Sequence, residues 1–157
     1  MTQEEYMEEA RRLRPKLLDV ARRYLGDDDA EDTVQDALLR LWQMLGELHA
    51  PLDALASVLT RNMAVTAMRR QRPTVAVSDA LPAADGSPAS TDERIDRLMA
   101  VIDTLPPLQQ TILRLRHAEG MEMAQLAALI GSSEVALRKA LSRARMAVRQ
   151  KYTQQYE

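Results

Sequence analysis

The chain has 157 residues with no cysteine, no Phe, one Trp and four Tyr, and its 21 Lys/Arg against 23 Asp/Glu give a net charge of −2. This composition excludes disulfides and thiolate chemistry and forces any core to be aliphatic; with five Gly and no runs of β-branched residues, it predicts an all-α protein, as one ordinary domain or two small ones. The near-neutral total excludes a uniformly basic nucleic-acid binder. Residues 1–70 hold ten Lys/Arg against thirteen Asp/Glu, however, and residues 92–157 ten against eight, so a local basic face remains open.

The opening MTQEEYMEEARRLR is too charged for a signal peptide, and nowhere do 18 apolar residues run together, so no membrane insertion is expected. Residues 3–25 place Tyr6, Ala10, Leu13, Leu17, Ala21 and Tyr24 at three- and four-residue steps, an amphipathic helix. Pro15 is expected to kink or divide it, and Gly26 to end it. Asp27, Asp28 and Asp29 are N-cap candidates for a second helix over about 30–48, through Val34, Leu38, Leu41, Trp42 and Leu45. Pro51 separates a third helix, about 52–70, with Leu55, Leu59, Met63 and Ala67 on one face and arginines at its end. Residues 71–90 hold three Pro and one Gly with little periodicity and read as a flexible linker; docking of residues 75–81 on a domain is the alternative.

Helical pattern resumes with Ser90 and Glu93 as a capping box, then Ile95, Leu98, Met99 and Ile102. Pro106-Pro107 stops that helix and starts the next, expected over 109–118 and ended by Glu119-Gly120. The stretch MAQLAALIGSSEVALRKALSRARMAVR then reads as two helices around a tight turn. Ala127 is the small residue where they touch, Gly131 supplies the positive φ, and Leu137 anchors the second helix. Between Glu134 and Lys151 stand Arg138, Lys139, Arg143, Arg145, Arg149 and Lys151 with one acid. A basic second helix after a sharp turn describes a recognition helix for a major groove. The chain thus reads as two small helical modules and a tether, divided at 1–72, 73–90 and 91–157.

Together, GDDDAEDTVQDALLRLW, LTRNMAVTAMRRQRP and LPPLQQTILRLRHAEGM with the helix pair behind it resemble an extracytoplasmic-function sigma factor of the sigma-70 family. That resemblance covers nearly everything outside the linker. It implies that residues 1–72 are region two, binding core polymerase and the minus-ten element, and that 91–157 are region four, whose helix-turn-helix binds the minus-thirty-five element. The family's polymerase-docking motif falls on residues 30–36. It implies contact with the β′ clamp helices through Asp32, Gln35 and Asp36, which share a helix face, with Leu39 and Trp42 beside them. Contact with the β flap is implied as well. The minus-ten helix falls on residues 60–70 and carries Arg61, Asn62, Arg69 and Arg70 over as DNA contacts: guanidiniums for phosphates, an amide for an exposed base. Residues 46–53 correspond to the loop that captures a flipped base. On the terminal helix the contacts fall on Arg138, Lys139 and Arg143, with Arg145 and Arg149 assigned to phosphate or solvent. Leu55 and Thr66 depart from the family pattern, which removes aromatic stacking from the Leu55 site and leaves the minus-ten preference open; Val135, Ala136 and Ala140 depart on the terminal helix, so phosphate gripping should dominate there. An anti-sigma protein and a cytoplasmic location are also implied. When free, the acidic and basic faces are expected to pack together or be held by that inhibitor.

No enzyme is expected. His49 and His117 stand apart, and there is no phosphate loop, nucleophile elbow or HExxH pair. The acidic run lacks the glycine and the terminal Glu of a calcium loop, the methionines read as adaptable core, and no metal or cofactor is predicted. Two other readings stay open. One is a helix-turn-helix regulator acting without polymerase; the other is an adaptor on the same scaffold that has lost DNA binding.

Overall fold

The structure, a computed structural model, describes residues 1–71 and 91–157. Every regular element among them is helical. In chain order they are α1 (Gln3–Arg22), α2 (Asp27–Gln43), a 3-10 turn (Leu45–Glu47), α3 (Asp53–Gln71), α4 (Thr91–Ile102), α5 (Pro107–Leu113), a π-helical turn (Arg114–Ala118), α6 (Met123–Ile130) and α7 (Glu134–Tyr156). Helices α1, α2 and α3 pack on one another, and α4, α5 and α6 each pack on α7. The expectation of an all-α fold built from two helical modules holds.

Helix α1 starts at a capping box: Thr2 accepts from the Glu5 amide while the Glu5 carboxylate accepts from the Thr2 amide. Its stripe of Tyr6, Leu13, Leu17 and Ala21 is buried. Of the two outcomes expected at Pro15, a kink or a division, the division does not occur. Pro15 and Arg11 both lie exposed, so the Arg11 carbonyl that loses its donor is free to take water instead. Nor does Gly26 end α1, which stops at Arg22; Gly26 immediately precedes α2 and caps it. The three aspartates fall inside the first turn of α2, where their charge complements the positive end of the helix dipole, rather than at the cap. Helix α2 ends at Gln43, earlier than its apolar pattern suggests, because the chain tightens there and buries both Met44 and Leu48.

Helix α3 buries Leu55, Ala56, Leu59, Thr60, Asn62 and Ala64, more than one stripe. It is covered from two sides, by α1 and α2 on one and by the π turn and α6 of the second module on the other. One continuous core results, running from Leu17, Leu41 and Leu59 to Leu115, Leu126 and Leu137. Each fully buried Leu contributes about 1.5–3 kcal/mol, which matters to modules too small to bury much alone.

The helix expected over 109–118 is two pieces. After Leu113 the chain widens into the π turn, and the Glu119 amide donates to the Arg114 carbonyl at 3.3 Å. Gly120, at φ +67°, then lets the Met121 amide reach back to the Leu115 carbonyl at 3.2 Å. Helix α6 is capped reciprocally by Glu122 and Gln125 and ends at Gly131, whose φ of +81° is the left-handed turn the sequence demands there. Ser133 caps α7. Among the methionines Met44 is core and Met121 and Met123 are half-buried, whereas Met7 and Met146 are exposed against expectation. The linker reading, its docking alternative and the Ser90 cap lie outside the described residues, except that Gln71 still belongs to α3.

Candidate functional site

The residues singled out by sequence occupy three separate faces. On α2, Asp32, Gln35, Asp36 and Leu39 are exposed and Trp42 is half-buried, its ring edge-on to Tyr6 at 5.4 Å. The Tyr6 hydroxyl donates to the Leu38 carbonyl, and burial pushes its pKa up to about 12. Gln35, Leu39 and Trp42 form one wall of an apolar groove whose other wall is α1, with Met7, Ala10, Arg11 and Arg14. Asp36 turns to the opposite side of α2, towards the second module. Sequence reasoning missed the α1 wall. Its signal was there: Met7, Arg11 and Arg14 share a face off the core stripe, and Met7 is 52% exposed.

On α7, Leu137, Leu141 and Ala144 face the core, and Arg138, Lys139, Arg143 and Arg145 are all exposed. They do not form one site. Arg138, Arg145 and Arg149 line a groove with Met146, while Arg143 lies about 140° round the helix from Arg138. The fourth guanidinium in the groove is Arg116 of the π turn, which sequence reasoning did not select. Beside it His117 Nε2 receives Arg145 Nη2 at 3.2 Å; burial first, then the charges of Arg145 and Arg116, hold the His117 pKa below its ordinary value. Lys151 is not part of this face, since it reaches the Thr104 hydroxyl and carbonyl beyond α4.

The third face is on α3, and the second module sits on it. Arg61 Nη1 pairs with Glu119 Oε2 at 2.6 Å, and Asn62 Nδ2 donates to Glu119 Oε1 at 3.3 Å. Asn62 is only 4% exposed. The Tyr24 hydroxyl, 3.4 Å from Arg61 Nε, and then Glu119 raise the Arg61 pKa. Nine residues beyond Arg61, Arg70 pairs with Asp103 at 3.3 Å, and Asp103 also binds Arg114, whose side chain is 5% exposed. Burial lowers the pKa of Arg114 and of Arg40, with Asp103 opposing the shift in both. His49, in the 46–53 loop, lies against Gly131: a Cβ there would meet its Cδ2 at 2.8 Å. Arg69 stays exposed. The modules do pack together, but not through the acidic and basic faces expected. Acids of the second module cover the arginine end of the first, leaving the α1–α2 groove and the recognition helix open.

Residues 10–74 match sigma-70 region 2, and residues 95–148 match sigma-70 region 4. The chain is 36% identical over 140 residues to a probable RNA polymerase sigma factor, RfaY, of Xanthomonas campestris, covering 82% of this chain and 35% of that protein. It is 33% identical over 149 residues to the ECF RNA polymerase sigma factor SigJ of Mycobacterium tuberculosis, covering 87% and 47%. This chain therefore spans about a third and about half of those two relatives. With the RNA polymerase sigma-E factor of Streptomyces avermitilis it shares 31% over 146 residues, 89% of this chain and 80% of that one. Among solved structures, the sigma factor RpoE of Bartonella quintana, in complex with the anti-sigma factor NepR, aligns with a TM-score of 0.41 at 23% identity, covering 98% of this chain and 99% of that one. By its two matched regions and by these relatives, the chain belongs to the sigma-70 family of RNA polymerase sigma factors, in its extracytoplasmic-function group.

Proposed function

We propose that this chain is a promoter-specificity subunit: it binds core RNA polymerase and directs initiation. The observation that carries the reading is one molecule with two open faces of different chemistry. One is an apolar groove edged by Gln35, Leu39 and Trp42; the other is a four-arginine groove beside a recognition helix. A regulator that only bound duplex DNA would need the second and not the first.

In this proposal residues 1–72 are the polymerase and minus-ten module and 91–157 the minus-thirty-five module, joined by 73–90. The α2 face, extended by Met7 and Arg14, takes the β′ clamp helices, and the second module takes the β flap. Arg138, Lys139, Arg143 and Arg145 serve the upstream duplex, while Arg61, Asn62, Arg69 and Arg70 serve the melted strand. The chain works without catalysis and in the cytoplasm, where polymerase and DNA meet, under the control of an anti-sigma protein. Among the described residues no helix is long and apolar enough to cross a membrane. Run-off transcription from genomic fragments with core polymerase tests the proposal. A promoter-dependent product is expected, and stable polymerase binding without any such product overturns it.

A further inference from the structure

We infer that the cavity lined by Arg40, Arg70 and Arg114 binds a small phosphate-class oxyanion, either inorganic phosphate or the phosphoryl group of a phosphate monoester. Each guanidinium comes from a different element: Arg40 from α2, Arg70 from the end of α3 and Arg114 from the π turn. The acids beside them are Asp36 and Asp103, so positive charge is in excess. The imbalance is larger at depth. Asp36 is exposed and the Asp103 side chain is 42% exposed, so water and salt screen both, whereas Arg114 is buried and Arg40 half-buried. Asp103 is already committed, one oxygen to Arg114 Nη2 and the other to Arg70 Nη2. Arg40 feels Asp103 and Asp36 only through space, with no hydrogen bond to either. Its Nη1 and the Nε of Arg114 are buried donors without an acceptor, which is costly on a charged group.

The donor set selects the class of ligand. A tetrahedral oxyanion offers acceptors in several directions to guanidiniums arriving from three elements, where a carboxylate offers two coplanar oxygens. The cavity volume of about 400 Å³ lies at the small end of ligand pockets and suits phosphate or a small monoester. The site shares no residue with the arginine groove on α7. Arg40 and Arg114 have no part in the proposed initiation function, so the inference goes beyond that reading and needs neither polymerase nor DNA to be tested. A ligand held by Arg40 and Arg114 touches both modules at once, so occupancy stabilises the whole chain by mass action.

The test heats the full-length chain in Hepes at constant ionic strength while chloride is exchanged for inorganic phosphate or, in a second arm, phenyl phosphate. A saturating rise in the unfolding midpoint is expected in at least one arm, about 3–6 °C at ten times the dissociation constant. A response to inorganic phosphate identifies the free ion as sufficient, and a response to phenyl phosphate alone identifies a monoester; both support the site. Phosphate also stabilises folds generally by exclusion, without saturation, so variants carry the discrimination. Arg40→Gln removes a half-buried guanidinium without a carboxylate bond and should weaken calorimetric binding about tenfold or more. Arg70→Gln, at an exposed position, should weaken it as well and decides the matter if Arg40→Gln does not fold. Arg138→Ala with Arg145→Ala should leave binding unchanged. Absence of a saturating rise in both arms overturns the inference. So does binding that survives Arg40→Gln and Arg70→Gln, or that disappears with Arg138 and Arg145, which would place the ion in the α7 groove.

Discussion

The turn at Gly131 offers the sharpest test of the fold, because one added methyl meets two separate costs. The backbone sits at φ +81°, a left-handed conformation that costs a residue with a Cβ roughly 1–2 kcal/mol. The same Cβ would lie 2.8 Å from His49 Cδ2, closer than real contacts allow, so the ring must move. His49 is exposed and can swing aside, which makes the second cost the smaller. Gly131→Ala should therefore destabilise the chain by about 1–2 kcal/mol, most of it backbone strain. A double-mutant cycle with His49→Ala separates the two costs, with a coupling of about 0.5–1 kcal/mol expected for groups in contact. Urea unfolding followed by helical circular dichroism, alongside the fluorescence of the single Trp42, supplies the free energies. A loss below about 0.5 kcal/mol for Gly131→Ala would refute the left-handed turn. A coupling of zero would refute the seating of the 46–53 loop on the helix-turn-helix.

Asp32→Lys with Gln35→Ala should abolish polymerase binding in a pull-down while shifting stability by no more than about 0.5 kcal/mol, both side chains being exposed. Tyr6→Phe should cost about 0.5–1.5 kcal/mol in chemical denaturation by removing the bond to Leu38. The wild-type advantage over Tyr6→Phe is complete below the free-phenol range near pH 10 and lost as pH rises towards 12, because the folded state holds the proton longer. Arg138→Ala should weaken promoter binding by about 1–3 kcal/mol if it reads a base, whereas Arg116→Ala should weaken all duplexes alike and reduce the salt slope by about one. Asp103→Asn should destabilise the chain by about 2–3 kcal/mol in the same unfolding assay, since it strips Arg114 of its carboxylate.

What the sequence carried was what repeats along it. The apolar stripes of α1, α2 and α3 and the Ala127–Gly131–Leu137 frame emerge as expected because a helix packed on one side imposes a 3.6-residue period. Pro15 leaves α1 undivided because a proline breaks a helix only where its missing bond matters, and the Arg11 carbonyl can turn to water. The π turn left no mark, since one residue of extra winding has no period of its own, yet it aims Arg114 inward and Arg116 into the arginine-lined groove on α7. Leu55, one of the departures from the family pattern, still fills an apolar slot at 3% exposure. The contacts of Glu119 and Asp103 with α3 were illegible for a different reason. They join residues 58 and 33 positions apart, and a lone acid in a charged loop resembles any solvated surface group. The α3 sequence did hint at them: buried Thr60 and Asn62 lie among its apolar residues, as in a helix covered from two sides.

The two acids that bind α3 do different work. Asp103 serves its own module first, because Arg114 is buried and needs a carboxylate whether or not Arg70 is near. The Glu119 carboxylate has no such inner obligation: its hydrogen-bonded partners, Arg61 and Asn62, both belong to α3. Removing Glu119 therefore separates the modules without hollowing either, whereas removing Asp103 injures the second module before it frees the first. The asymmetry also places any physiological opening. A partner that bears on the Glu119–Gly120 turn can release Arg61 and Asn62 while the Asp103–Arg114 pair stays intact. A chain built from two small helical modules can then expose α3 without unfolding either one.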